Sequence, residues 1–177
     1  MEIIDTPLAG LKLFVPRRFA DDRGYFLETH NAARYAEAIP APFVQDNLSH
    51  SHKGVLRGLH YQYPDWQGKL VYPITGEIFD VAVDLRTESP TFGQWFGTVL
   101  SANEHKQIYV PPGFAHGFCV LSDTAYVIYK CTTPYKPSCE FTLAWDDPEV
   151  GISWPITNPI ISPKDRQGRA LRDVFKD

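Results

Sequence analysis

Residues 54–72 read Gly-Val-Leu-Arg-Gly-Leu-His-Tyr-Gln-Tyr-Pro-Asp-Trp-Gln-Gly-Lys-Leu-Val-Tyr, and their alternation indicates the fold. The pattern predicts a strand over 55–61. Val55, Arg57, Leu59 and Tyr61 point to one face, and Leu56, Gly58, His60 and Gln62 to the other. A short loop with Pro64, Asp65, Trp66 and Gly68 returns the chain through Lys69, Leu70 and Val71, as in a hairpin. Such a unit places an imidazole, an ammonium and a guanidinium near one pocket: a base, an electrophile and an anion anchor. The stretch alone fits equally well a structural His60 with Arg57 and Lys69 in solvent.

Working outward, strand patterns recur on both sides. Downstream, Thr75-Gly76 is a turn, and 78–85 is a strand with Phe79, Val81, Val83 and Leu85 on one face. Ile78, Asp80, Ala82 and Asp84 form its other face. There Asp80 pairs with Lys69 or His60 across the sheet, or both carboxylates face solvent. Further strands are predicted at 93–100, 108–110, 124–132 and 141–145. Pro111-Pro112-Gly113 turns the chain so that His116 stands at a strand start among small residues.

Upstream, 11–15 is a strand ended by Pro16, residues 17–24 form a loop, and 25–29 is a strand. Asn31 caps a helix over 32–38 that Pro40 and Pro42 stop. Residues 43–51 form a strand in which Gln45, Asp46 and Asn47 are adjacent polar side chains, better suited to lining a site than to a wet edge. Near the C-terminus, Ser162-Pro163 opens a helix over 164–172, weakened by Gly168.

Strands every eight to twelve residues, with 15 Pro, 12 Gly and 14% aromatic residues, predict an all-β sandwich or barrel. The 177 residues suit one domain over 1–177. A net charge of −4, spread along the chain, leaves no footprint for bulk nucleic-acid binding. No apolar run spans a membrane, and the acidic start Met1-Glu2-Ile3-Ile4-Asp5 lacks a signal-peptide core. Cys119, Cys131 and Cys139 lack metal-type spacing and read as reduced thiols of a cytoplasmic protein.

Six segments in register over about residues 5–170 resemble a known family. They are Asp22-Arg23-Gly24, Gln45-Asp46-Asn47, Leu56 to His60, Gln67 to Val71, Glu88 to Gly93, and Pro112 to Phe118. Together they are similar to the dTDP-4-dehydrorhamnose 3,5-epimerases, nucleotide-sugar enzymes of the cupin-like group. The resemblance implies a jelly roll with a few short helices, a homodimer, no metal and no cofactor. The implied substrate is dTDP-4-dehydro-6-deoxy-D-glucose, on the route to dTDP-L-rhamnose. By motif, His60 matches the base, Asp165 its carboxylate partner, Tyr129 the general acid and Lys69 the residue beside the ketone oxygen. Arg23, Glu28, Gln45, Asp46, Asn47, Arg57, His116, Glu140 and Lys164 match substrate-contacting positions, and Tyr135 an aromatic near the sugar. Two departures are Tyr72, where the family pattern has Arg, and the loop Tyr63-Pro64-Asp65-Trp66.

The chemistry fits the residue types. Epimerisation beside a ketone needs a base poised near neutral pH and a donor for the enolate oxygen. Imidazole and ammonium supply these, and an acid on the opposite side returns the proton. Three alternatives stand beside this reading. An epimerase acting at C3 alone would use the same base and lysine. A metal cupin would use His50-Ser51-His52 and His116, yet His60-Tyr61-Gln62 stands where a cupin carries His-x-His. A non-catalytic sugar-nucleotide module would have no use for His60, Lys69 and Tyr129 together.

Overall fold

Alternating and near-continuous apolar runs fold into strands in the computed structural model, which describes residues 1–176. The N-terminal part contains β1 (Glu2–Asp5), β2 (Lys12–Val15), β3 (Arg18–Asp21), β4 (Gly24–Leu27) and the one-turn helix α1 (Ala32–Tyr35). The central run is β5 (Gln45–His52), β6 (Val55–Gln62), β7 (Lys69–Thr75), β8 (Glu77–Asp84) and β9 (Trp95–Ser101). Then come β10 (Gln107–Val110), β11 (Phe114–Val120), β12 (Thr124–Cys131), β13 (Glu140–Thr142) and β14 (Ile160–Ile161).

Two sheets face each other as a jelly roll. One has the order β1-β2-β10-β7-β12-β5; the other is β13-β6-β11-β8-β9, with β14 parallel to β6. Val71, Ile108 and Val127 from the first sheet meet Ile78, Ala82 and Phe118 from the second in the core between them. The outer faces are covered too. Val81, Val83 and Leu85 pack under Val150 and Val174, while Leu70 and Tyr109 pack under Tyr35 and Ile39. Central strands buried on both sides explain the near-continuous apolar runs of β8 and β11.

Several expectations change. The unit 54–72 is not a hairpin: β6 and β7 belong to opposite sheets, and the loop between them crosses from one to the other. Asp80 and Asp84 are fully buried rather than facing solvent. The segment read as a loop contains β3, which pairs with β4 in a ribbon that joins neither sheet. Its residues are exposed, so no core pattern marks it. Asn31 does cap α1, its Oδ1 accepting from the Arg34 amide at 3.3 Å. The helix ends after one turn, where Tyr35 stacks on Phe14 at 5.0 Å and donates its hydroxyl to Gln107. The C-terminal helix is replaced by two 3₁₀ turns, Asp165–Gln167 and Leu171–Asp173. Gly168 between them passes so close to Ala144 that a Cβ would lie 2.7 Å from its backbone.

Candidate active site

The site lies on the inner faces of the two sheets, and a bulge aims it. His116 of β11 sits opposite His60 of β6, but Phe118 sits opposite Arg57, so β6 carries one extra residue. Simple alternation had put Arg57 and His60 on opposite faces. The bulge corrects this: both line one cavity, while Leu59 and Tyr61 turn outward into the second core. Glycine is required there. Gly58 has φ +123°, and a Cβ on it would lie 2.6 Å from the Gly117 Cα.

The cavity of about 100 Å³ is lined by Ser49, Arg57, His60, Lys69, His116 and Tyr129, with Gly117 and Phe118 at its side. That is below the roughly 300–1,000 Å³ of a whole-ligand pocket, so it fits the reacting part of a ligand, with the rest across the mouth. A larger concavity of about 420 Å³ is lined by Tyr63, Trp66, Arg86, Glu88 and Phe175, a set that includes no imidazole or ammonium to act as base or electrophile.

His60 Nε2 lies 2.7 Å from Asp165 Oδ1, and Asp165 Oδ2 accepts from the Gly58 amide at 3.3 Å. Ser162 Oγ accepts from the Asp165 amide at 3.1 Å, so the first 3₁₀ turn delivers a fixed carboxylate. Burial pushes Asp165 up, but hydrogen bonding to His60 and the charge of its ring outweigh this and leave its carboxyl below the ordinary value. The imidazole is 30% exposed and its carboxylate partner 5%. The ring therefore has access to both ligand and solvent.

Lys69 and Tyr129 come from adjacent strands of the other sheet, where Cys131 pairs with Lys69 and Tyr129 with Val71. Burial lowers the pKa of Lys69, against the opposing influence of Cys131, Glu140 and Asp80. Its Nζ donates to the His60 carbonyl at 3.5 Å, across the cavity. Burial raises the pKa of Tyr129, keeping the phenol protonated, while Arg57 pulls it down. Arg57 Nε donates to Ser51 Oγ at 2.8 Å, which stiffens the guanidinium.

At the mouth, Tyr135 donates its hydroxyl to Glu140 at 2.5 Å, and Lys164 pairs with the same carboxylate. Gln45 Oε1 accepts from the Tyr135 amide at 2.8 Å, and its Nε2 donates to Asn47 Oδ1 at 3.0 Å. Asp46 is not among them. Strand alternation turns it to the opposite face, where it accepts from Lys130 at 2.7 Å. Arg23 and Glu28 are not brought to the cavity either. Arg23 pairs with Asp21 at the exposed tip of the β3–β4 ribbon, and Glu28 with Arg34. His50 and His52 also face outward, where His50 stacks on Tyr126. Tyr72 lies outside the cavity, buried opposite Ile128, so this departure from the family pattern does not touch the cavity wall.

Sequence reasoning missed Ser49, whose buried hydroxyl has no partner among the described residues. The every-other-residue run Gln45, Asn47, Ser49, Ser51 was its signal. The expected partner of Asp80 was also wrong. Asp80 pairs with His116, its oxygens 2.9 and 3.1 Å from Nε2. The motif Glu88 to Gly93 supports the fold away from the cavity, where Ser89 and Thr91 each donate to Asp84 at 2.7 Å.

The model of the dTDP-4-dehydrorhamnose 3,5-epimerase family matches residues 5–173. The chain belongs to that family. A family member from Neisseria gonorrhoeae, named dTDP-4-dehydrorhamnose 3,5-epimerase, is 55% identical over 178 residues, covering 99% of this chain. The chain spans about half, 54%, of that protein's length. The Pseudomonas aeruginosa enzyme of the same name is 55% identical over 165 residues, covering 92% of this chain and 91% of that one. Among solved structures, the dTDP-6-deoxy-D-glucose-3,5-epimerase of Legionella pneumophila in complex with dTDP-4-keto-L-rhamnose superposes with a TM-score of 0.94. It is 49% identical, and the match covers 98% of this chain and 94% of that one. The fold seen here is therefore the family's cupin-like jelly roll.

Proposed function

We propose that this protein is a nucleotide-sugar epimerase. It converts dTDP-4-dehydro-6-deoxy-D-glucose to dTDP-4-dehydro-L-rhamnose by inverting C3 and C5, in dTDP-L-rhamnose biosynthesis. One observation carries the reading: His60 stands on one sheet, paired with Asp165 from the 3₁₀ turn beside it, and Lys69 and Tyr129 face it from the other sheet. A sugar ring between the sheets meets a base on one face and an acid on the other.

C3 and C5 both flank the C4 ketone. His60 removes the proton, with Asp165 orienting the ring and balancing the imidazolium that forms. That help is worth roughly 10²–10⁴-fold, short of the ~10⁶-fold or more of typical enzymes. Lys69, donating to the C4 oxygen, stabilises the enolate and contributes about 10²–10³-fold more. Tyr129 returns a proton from the opposite face; the enolate is basic enough to take it from a phenol. Arg57 holds a phosphate oxygen, Gln45, Asn47, Glu140 and Lys164 contact the substrate around the cavity, and Tyr135 stands near the sugar. No step uses a metal or other cofactor.

The working form is a homodimer. Phe19, Tyr25 and Phe26 are 50–70% exposed on the ribbon that also carries Arg23. This supports a ribbon that docks on a second copy and presents Arg23 and Glu28 to the partner's site. A cytoplasmic location is supported by three free thiols. Among the described residues, no helix is long and apolar enough to cross a membrane.

The test is incubation with dTDP-4-dehydro-6-deoxy-D-glucose in D₂O, followed by NMR of the C3 and C5 positions. Deuterium should enter both carbons, and His60→Ala should slow both by at least about 10²-fold. Deuterium at C3 alone would replace this reading with a 3-epimerase. Exchange undiminished in His60→Ala would remove His60 as the base.

A further inference from the structure

The cavity holds a second imidazole–carboxylate pair. His116 and His60 are register partners on β11 and β6, so the two rings stand side by side on the inner face. Each turns Nε2 to a carboxylate of its own: His60 to Asp165, and His116 to Asp80 at 2.9 and 3.1 Å. Their surroundings differ. The His60 side chain is 30% exposed, whereas that of His116 is 8% exposed and the Asp80 side chain is fully buried. Among the described residues, the side-chain hydrogen bonds of Asp80 all go to His116.

Asp84, two turns of the alternation further along the same face of β8, shows what a structural carboxylate looks like here. It accepts from Arg86, Ser89 and Thr91 together. A buried carboxylate held by one imidazole is much less saturated, and its geometry is useful for a different reason. A carboxylate accepts, so the shared hydrogen sits on Nε2 of His116, and Nδ1 is the nitrogen left for the cavity.

Resting on the functional reading above, we propose that Asp80 is a positioning residue for the epimerisation. It pins Nε2–H of His116 and so turns Nδ1 of that ring toward the sugar. His60, reached by solvent, exchanges its proton between turnovers. His116, shielded from solvent, holds one sugar oxygen fixed while the carbon acid beside it ionises. Asp80 thus acts through His116 and touches no substrate.

Two measurements test this. The first is long-range ¹H–¹⁵N NMR of the histidine rings in the wild-type protein, with His116→Gln used for assignment. The expected spectrum has the His116 hydrogen on Nε2; a ring protonated only at Nδ1 overturns the proposal. The second is a double-mutant cycle on kcat and KM. Asp80→Asn should lower kcat/KM roughly 10–100-fold, the usual cost of losing a partner that orients a functional imidazole. In a His116→Gln background the same change should cost about 2-fold or less, since nothing remains to position. An equal loss in both backgrounds makes Asp80 merely structural and overturns the proposal. If Asp80→Asn does not fold, the wild-type spectrum still decides, and it needs no substrate. A wild-type protein that exchanges neither C3 nor C5 would refute the epimerase reading separately.

Discussion

The two ends of the space between the sheets are built on the same strand faces yet obey different rules. At one end, Val71, Ile78, Ala125 and Val127 form a dry core. Two residues further along the same faces stand Lys69, Asp80 and Tyr129. Two-residue steps keep side chains on one face, so core and site are continuous, and the site occupies core positions given over to ionisable groups. At the core end each side chain adds stability. At the site end each is held against the penalty of burial, and the lowered pKa of Lys69 records that penalty.

The largest effect should come from breaking the device that joins the two ends. Gly58→Ala puts a Cβ 2.6 Å from the Gly117 backbone at a φ of +123°. Strands β6 and β11 must part, and unfolding in urea should show a loss of roughly 4 kcal/mol or more, with no turnover. Retained stability and activity would mean the bulge does not aim His60.

Ile78→Ala sharpens the core side. Ile78 is fully buried on the same face of β8 as Asp80. The change should cost about 2–5 kcal/mol in urea unfolding while the folded fraction keeps its wild-type kcat. A variant equally stable but slow would erase the distinction between the ends.

Asp84 supplies the smaller effect. Burial pushes its carboxyl up, but hydrogen bonds from Arg86, Ser89 and Thr91 hold it at about 2. Its folded pKa is below its unfolded one. Its stabilising contribution is therefore present above about pH 4 and is lost as pH falls towards 2. Asp84→Asn should remove roughly 2–3 kcal/mol at neutral pH and flatten the decline of stability between pH 4 and 2. An unchanged acid profile would show that this carboxylate is not a structural anchor.

Much of the fold was legible because its strands alternate or run apolar between Gly and Pro turns, as β5 to β12 do. What escaped had a physical cause in each case. The ribbon β3–β4 has no buried face, so periodicity carries no signal there. The crossing of the chain between β6 and β7 looks like a hairpin because loop length does not reveal which sheet follows. For the candidate site, the residue types of Arg57, His60 and Lys69 pointed to one pocket, but period-two reasoning sent Arg57 and His60 apart. The bulge that reunites them depends on Gly58 against Gly117, a contact between residues 59 positions apart in the chain. Asp46 shows the opposite case: it is adjacent in sequence to Gln45 and Asn47, yet alternation turns its side chain to the other face, toward Lys130.

The most direct test of the contrast between the two ends is Lys69→Met, measured for urea stability and for deuterium exchange at C3 and C5. Methionine fills similar space without a buried charge. Stability should equal or exceed that of the wild type, with exchange slowed about 10²–10³-fold. A variant that loses several kcal/mol yet still exchanges both protons at the wild-type rate would contradict this, making Lys69 a structural residue and not part of the site.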